Sequence, residues 1–457
     1  MTWIEPNEVN SARMWDRIVE LYPIYRQLAG PGFTESLIRL QKELDFKIHK
    51  FPTGLKVFDW TIPQEFDVVD SYVEHESGKR FLEFRKNNYH VHPYSQPYFG
   101  EMQKSELLKH ISTHEILDDA VPLRPTYYRK KWGLSASKNE VKELPEGKYR
   151  VHIDTKLTDG FLRMGELYLP GELEDEILIS TYLCHPQGAN DNLSGVTVAT
   201  ELFWLLQQLP ERRYSYRLVI WPETIGSVTY IHQYPERVKK TIGGYAIYCV
   251  GDPGPFNYKL SKQPNSLIDR AAVHAVKTLG YAHKIIPFHP LGSDERQLNC
   301  AGVRIPFGCM MRTPPGDFSE YHTSRDDLNY VKPEALFETL RVYWHAISAI
   351  ERCRVFKPTF TVEPFLTGYD IYPFDLCCGE GQNVNDHAAT FYRLMSHLDG
   401  ELDLLKIAEL SNLPIHYFDR AVREFSKVGL MKEVRSTIKK AKESTPAETR
   451  FKSPLLS

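Results

Sequence analysis

The sequence predicts an α/β protein: a mostly parallel sheet with helices on both faces, interrupted by a β-rich segment and followed by a compact helical unit. Three observations predict it. The buried-type runs EILISTYLCHP, YRLVIWPE and GGYAIYCVGD are interleaved with LSGVTVATELFWLLQQL, which has helical length and periodicity, and strands alternating with helices argue for parallel pairing. Residues 51–138, ahead of them, are rich in Tyr, Phe, Val, Pro and His and poor in helical patterns. Near the C-terminus three short helical segments succeed one another with tight turns,. At 457 residues the chain has material for two or three domains,.

The opening segment, residues 11–46, spaces its apolar side chains as a helix does, with breaks at Pro23 and at the Gly30–Gly32 turn,. KVFDWTIP, KRFLEFRK and NYHVHPYS then read as short strands,, which makes 47–144 a β-rich inserted domain. From Tyr149, YRVHIDTKL and RMGELYLPG add strands to the α/β domain, assigned to 1–46 and 145–365. ATFYRLMSHLDG, LLKIAELSNL and IHYFDRAVREFSKVGL supply three helices, with a break at Asn412–Pro414 where a helix-turn-helix would turn. A strand and a basic tail after them make 380–457 a winged-helix-like domain.

A net charge of -3 gives no global pull toward nucleic acid or anionic membrane,. No apolar stretch approaches the roughly 20 residues that span a bilayer. The N-terminus lacks a basic start followed by an apolar run, so no signal peptide is expected,. Seven cysteines, an odd number without regular spacing, argue against a disulfide framework,, and the adjacent Cys377 and Cys378 read as structural. These features together predict a reduced, cytoplasmic protein with no membrane partner.

In doubly wound sheets ligands gather at the carboxyl ends of the strands, and there this chain places its unusual residues. His185 ends one buried strand and GANDNLSG leads from it into a helix, so His185 and Asp191 converge at the sheet edge as zinc-type ligands,. Each also has a structural reading, a strand terminator and an N-cap. Glu223, after Pro222 at the end of the next strand, faces the same crevice and could take a proton from a metal-activated water,. His322, in YHTSRDD, is a second candidate imidazole ligand from a later loop. His283 and His289 read as structural or surface residues.

His185 with GANDNLSG, PETIGS, GSDERQ and EYHTS resemble an aminopeptidase-like group related to the M28 zinc aminopeptidases (DUF4910/DUF2172-type), one sometimes linked with polysaccharide biosynthesis. YRQLAGPGFTESL, FPTGLKVFDWTIPQEF, PTYYRKKWGL and EPFLTGYDIYP extend the likeness over nearly the whole chain. The resemblance implies a zinc-aminopeptidase-like fold, one or two zinc ions, and hydrolysis of an amide in a small peptide or amide substrate. It implies His185 as the first metal ligand, Asp191 as the carboxylate bridging two zincs, Glu223 as general base and His322 as the late imidazole ligand. By position, Asp294 or Glu295 would bind a substrate amine, and Arg312 or Tyr321 would orient the carbonyl.

The chain departs from the M28 pattern twice. Thr224 stands where a second acidic ligand follows the base, and YCVGDPG offers only Asp252 or Cys249 where an aspartate ligand is expected. Three other readings stay open: a deacylase acting on an amidated sugar, a binding protein without catalysis, and a winged-helix DNA-binding regulator. The last is the weakest, because the third helix is mixed in charge and basic residues thicken only in RSTIKKAKE,. A homo-oligomer is expected.

Overall fold

Seven consecutive buried residues in each of Glu176–Tyr182 and Ser215–Trp221 mark the centre of the main sheet, as expected of strands covered on both faces. In the computed structural model, which describes residues 3–371 and 386–434, this sheet has eight strands. Their order is Lys47–Pro52, Phe161–Leu169, Ser215–Trp221, Glu176–Tyr182, Thr241–Ala246, Phe307–Met311, Phe256–Lys259 and His283–Ile286. Ser215–Trp221, Glu176–Tyr182, Thr241–Ala246 and Phe307–Met311 pair in parallel. Lys47–Pro52 and Phe161–Leu169 join antiparallel on one side, and Phe256–Lys259 runs antiparallel to Phe307–Met311 on the other.

The predicted helix after the first motif is Gly195–Gln208, buried along almost its whole length. The N-terminal periodicity resolves into Glu8–Leu21, capped by Asn7, and Pro31–Gln41, with proline at its first turn, a position where the missing N–H costs nothing.

The inserted domain does not run over 47–144. Lys47–Pro52 belongs to the main sheet, because it pairs with Phe161–Leu169. Lys148–Thr158, read from the sequence as part of the α/β domain, is instead the centre of a second sheet. It pairs through ten residue pairs with Glu65–His75 and also with Tyr98–Gln103, and Arg80–Phe81 edges the sheet. The alternating burial of Lys148–Thr158 is the signature of a half-covered strand,. KVFDWTIP is a short hairpin, Lys56–Val57 with Trp60–Thr61. NYHVHPYS forms a 3-10 turn at Asn88–His90, because Asn87 caps it by accepting from the Tyr89 N–H. The insert and the main sheet lie in one unit, Met1–Glu351.

The second unit, Arg352–Ser457, begins earlier than the predicted boundary at 380. Phe356–Pro358 supplies a strand that pairs with Met431–Glu433, the strand expected after the third helix. The helices are Asp386–His397, Leu404–Ser411 and Asp419–Lys427, and Asn412 takes the left-handed conformation that ends the middle one. Winged-helix character depends on the chain beyond residue 434, and RSTIKKAKE lies outside the described residues, as do Cys377 and Cys378. Among the described residues no helix is long and apolar enough to cross a membrane.

One buried ion network ties the first helix to the helix behind the candidate site. Glu201 accepts from Asn10 Nδ2 at 2.8 Å and Arg17 Nη2 at 3.0 Å, and Arg17 also reaches Thr197 Oγ1 at 2.8 Å and Glu43 Oε1 at 2.8 Å. Removing one member of a buried pair strands the other charge, at about 3–5 kcal/mol. Glu201→Ala is therefore expected to destabilise the chain by about 3 kcal/mol, the low end because Arg17 keeps Glu43. Urea unfolding of the variant measures it.

Candidate metal and hydrolase site

The strands Glu176–Tyr182 and Ser215–Trp221 lie in parallel register up to the pair Tyr182 and Trp221. One further bond, from the Leu183 N–H to the Trp221 carbonyl at 3.1 Å, closes the ladder. Beyond it the chains part, and His185 and Glu223 stand on the two sides of the opening. Glu223 Oε2 lies 4.0 Å from His185 Nε2.

Asp191 is brought to this point by the GANDNLSG turn, whose flanking polar groups are all engaged elsewhere. Asn190 Oδ1 accepts from the Gly251 N–H at 2.7 Å and its Nδ2 donates to Asp252 at 3.1 Å. Asn192 Nδ2 donates to Thr181 Oγ1 at 2.9 Å, and its Oδ1 accepts from the Gly195 N–H at 3.1 Å. The carboxyl group of Asp326 accepts the backbone N–H groups of Asn190 and Asp191 at 2.6 and 2.8 Å. Gly188 is required by close approach, since a Cβ there would lie 1.9 Å from the Asp191 carbonyl oxygen.

Asp191 itself is 2% exposed. Its Oδ1 accepts from Tyr182 Oη at 2.5 Å, while Oδ2 faces His185 Nε2 at 3.7 Å and His322 Nε2 at 3.1 Å. Burial alone would raise its pKa, but the two imidazoles and the Tyr182 hydroxyl outweigh it and hold the carboxyl well below the usual range,. Ligand atoms of His185, Asp191 and His322 all lie within 4.8 Å of one another. Asp191 Oδ2 and His322 Nε2 are both buried, and neither has a hydrogen-bond partner of acceptable geometry among the described residues. Two converging buried polar atoms without a partner are a donor set that a cation would satisfy, and two imidazoles with one carboxylate suit zinc. The three residues thus fit the metal.

His322 enters with φ of 55°, a left-handed conformation that the inserted domain fastens from the outside. The Leu123 N–H donates to the His322 carbonyl at 2.7 Å, and the Ser324 N–H donates to the Val121 carbonyl at 2.9 Å. Tyr89 Oη, also from the insert, donates to the Pro186 carbonyl at 2.8 Å. The insert therefore holds both imidazole-bearing loops. Tyr321 stacks on His322 at 3.9 Å between ring centroids, and burial with the nearby Asp191 pushes its phenol pKa up. Tyr127, another insert residue, is 37% exposed, and desolvation with the nearby carboxyls of Glu223 and Asp191 pushes its phenol pKa well up.

Glu223 is the candidate base. Burial, and then the charge of Asp191, raise its pKa to about 7. Its Oε1 accepts from Ser293 Oγ at 2.6 Å, leaving Oε2 toward the imidazoles.

Three residues assigned to substrate by sequence position are used elsewhere. Asp294 accepts from Trp221 Nε1 at 2.8 Å, the Thr224 N–H at 2.8 Å and Ser227 Oγ at 2.6 Å, so it holds the turn beneath Glu223. Glu295 is fully buried and paired with Lys259 at 2.5 Å. Arg312 is 4% exposed, lies over the Phe256 ring, donates to the Gly254 carbonyl at 2.9 Å and pairs with Glu338. None of the three has the exposed polar end a substrate would meet. The two ligand candidates beyond the cluster fare likewise. Asp252 accepts from Asn190, Gly254 and both the N–H and hydroxyl of Thr313. Burial keeps the Cys249 thiol protonated well above its usual range. Sequence reasoning missed Tyr182, Ser293 (within GSDERQ) and the insert loop 121–127; Asp326 stands in YHTSRDD, four residues after His322, without a role assigned from sequence.

The residues 15–353 match the family model described as a domain of unknown function, DUF4910. A Clostridium acetobutylicum protein described as a polysaccharide biosynthesis protein with aminopeptidase-like domain is 35% identical over 433 residues, covering 94% of this chain and 99% of its own length. The crystal structure of a peptidase-type protein from Clostridium acetobutylicum superposes with a TM-score of 0.84 at 34% identity, over 93% of this chain and 97% of the other. A zinc aminopeptidase from Bacillus subtilis shares the fold, with a TM-score of 0.55 at 14% identity over 74% of this chain and 94% of its own.

Two outcomes are expected. Tyr182→Phe frees the second oxygen of Asp191 and should weaken zinc binding about 10- to 100-fold, as loss of a ligand's supporting partner does, read by chelator competition. The second concerns the pH dependence of metal-free stability. Burial raises Glu223 and Asp294 to about 7 and Asp326 to about 8, against about 4 for such groups in an unfolded chain. Between those values the folded state holds more protons, so this contribution is complete below about pH 4 and is lost as pH rises toward 8. The melting temperature of the metal-free protein should fall from pH 5 to 8, and added zinc should raise it most at the alkaline end.

Proposed function

Because the chain belongs to the DUF4910 family and carries a three-ligand cluster beside a raised carboxyl, we propose that it is a zinc-dependent hydrolase of amide bonds, most closely an aminopeptidase. The single observation that carries the reading is the convergence of His185, Asp191 and His322 within 4.8 Å, with Glu223 Oε2 4.0 Å from His185 Nε2. Three protein ligands with an open position are the arrangement of catalytic rather than structural zinc. Zinc so held supplies a Lewis acid that polarises a carbonyl and acidifies water near neutral pH.

The chain's own residues supply the rest. Glu223 accepts a proton from the attacking water on Oε2 and returns it to the departing amine. Ser293 holds the opposite oxygen of that carboxyl, so the proton-accepting edge keeps one orientation. Burial lifts the Glu223 carboxyl above the ordinary carboxylate range in the metal-free chain, the direction in which a general base that must also return its proton is tuned. Tyr321 and Tyr127, neutral phenols at the rim, are the donors placed to orient the carbonyl. The reading takes one metal per chain. Thr224 brings no carboxylate, and Asp252 is already engaged by Asn190, Gly254 and Thr313.

A second reading is favoured by the name of the Clostridium acetobutylicum relative, which ties an aminopeptidase-like domain to polysaccharide biosynthesis. A deacylase acting on an amidated sugar would use the same ligands and base. Metal analysis should return one zinc per chain. Aminoacyl amides and N-acylated amino sugars, assayed side by side for amine release, separate the two substrate classes. Glu223→Gln should keep the zinc and lose about a hundred- to ten-thousand-fold in turnover. Retained activity in this variant, or zinc lost with no effect on activity, removes the proposal.

A further inference from the structure

Cys184 is buried beside both halves of the proposed site and belongs to neither. Its Sγ accepts from the Glu223 N–H at 3.2 Å, and it lies 3.6 Å from His185 Nδ1. The first contact falls one step past the last main-chain bond between the two strands, from the Leu183 N–H to the Trp221 carbonyl. The sulfur thus continues the ladder by one side-chain bond at the place where the strands diverge. The second contact concerns the proton on the imidazole. His185 Nε2 faces Asp191 and Glu223, so a metal bound there takes the Nε2 lone pair and leaves the proton on Nδ1, where it needs an acceptor.

We propose that Cys184 is a positioning residue for the metal site: its sulfur accepts from His185 Nδ1 and from the Glu223 backbone, fixing the ligand and the base relative to each other. This rests on the reading of His185, Asp191 and His322 as metal ligands. A thiol is a weak acceptor beside the carboxylate or carbonyl that usually supports a metal-bound histidine. It orients the ring while adding little negative charge to it. Burial suits that role, because Cys184 is 5% exposed and its sulfur sits between the Glu223 N–H and His185 Nδ1.

The full chain, stripped of metal and titrated with zinc against a chromophoric chelator, tests the assignment. Cys184→Ala and the near-isosteric Cys184→Val both remove the acceptor, so either variant that keeps the metal-free melting temperature of the parent serves. Zinc affinity should fall about 10- to 100-fold, and Cys184→Ser, which keeps an acceptor, should recover part of the loss. Parental affinity in the Ala or Val variant overturns the role of Cys184, as does a Ser variant no better than Ala. Absence of zinc binding by the parent chain removes the metal reading itself, a result distinct from either.

Discussion

The site depends on one costly act, the burial of Asp191. A carboxylate at 2% exposure loses most of its hydration, and such a group persists as an anion only where cations or donors replace the water. Here one oxygen takes the Tyr182 hydroxyl, and the other faces two imidazoles. The rest of the architecture serves that placement. Asn190 and Asn192 turn their side chains inward to the neighbouring strands, Asp326 catches two successive N–H groups, and the Gly195–Gln208 helix begins at once behind them. The carboxylate is thereby aimed at the opening between two strands, and three acidic neighbours are pushed up in pKa around it.

Much of this was legible in the sequence because strand ends are legible. EILISTY and YRLVIW are too uniformly apolar for half-exposed strands, so the residues just after them fall at the carboxyl edge of a parallel sheet. His185, Asp191 and Glu223 stand there, and the structure brings all three together with His322. What periodicity could not give was the limit of the inserted domain. YRVHIDTKL alternates like any half-buried strand, and its partner is chosen by long-range pairing with Glu65–His75, about eighty residues earlier,. Lys47–Pro52 went the other way for the same reason.

The substrate residues were illegible on different grounds. A motif gives a residue's address along the chain but not the direction of its side chain. In GSDERQ the chain enters a short helix at Glu295, and three consecutive residues diverge. Ser293 turns to Glu223, Asp294 turns beneath it to Trp221 and Ser227, and Glu295 turns into the core to Lys259. The hydroxyl, the least conspicuous of the three, is the one that touches the proposed base. Arg312 follows the same logic: its two terminal nitrogens donate to backbone carbonyls and to Glu338, its guanidinium lies over the Phe256 ring, and the side chain is buried, so it presents no exposed end to a substrate.

The departures from a two-metal pattern now have a common physical sense. With Thr224 in place of a carboxylate, a second cation would lack one anionic ligand; with Asp252 closed by donors from Asn190, Gly254 and Thr313, it would lack another. Asp191 would then be the one anionic ligand for two cations carrying four positive charges, a balance that a buried cluster does not tolerate. A single zinc against one carboxylate ligand, with Glu223 beside it, would leave a far smaller excess charge. The same substitution that removes a ligand also lets the turn after the base be fixed differently. The Thr224 N–H donates to Asp294, and its Oγ1 accepts from Arg296 at 3.0 Å. The base's neighbour is thus held by protein hydrogen bonds, and both loops that carry the imidazoles are tied to the inserted domain through Leu123, Val121 and Tyr89.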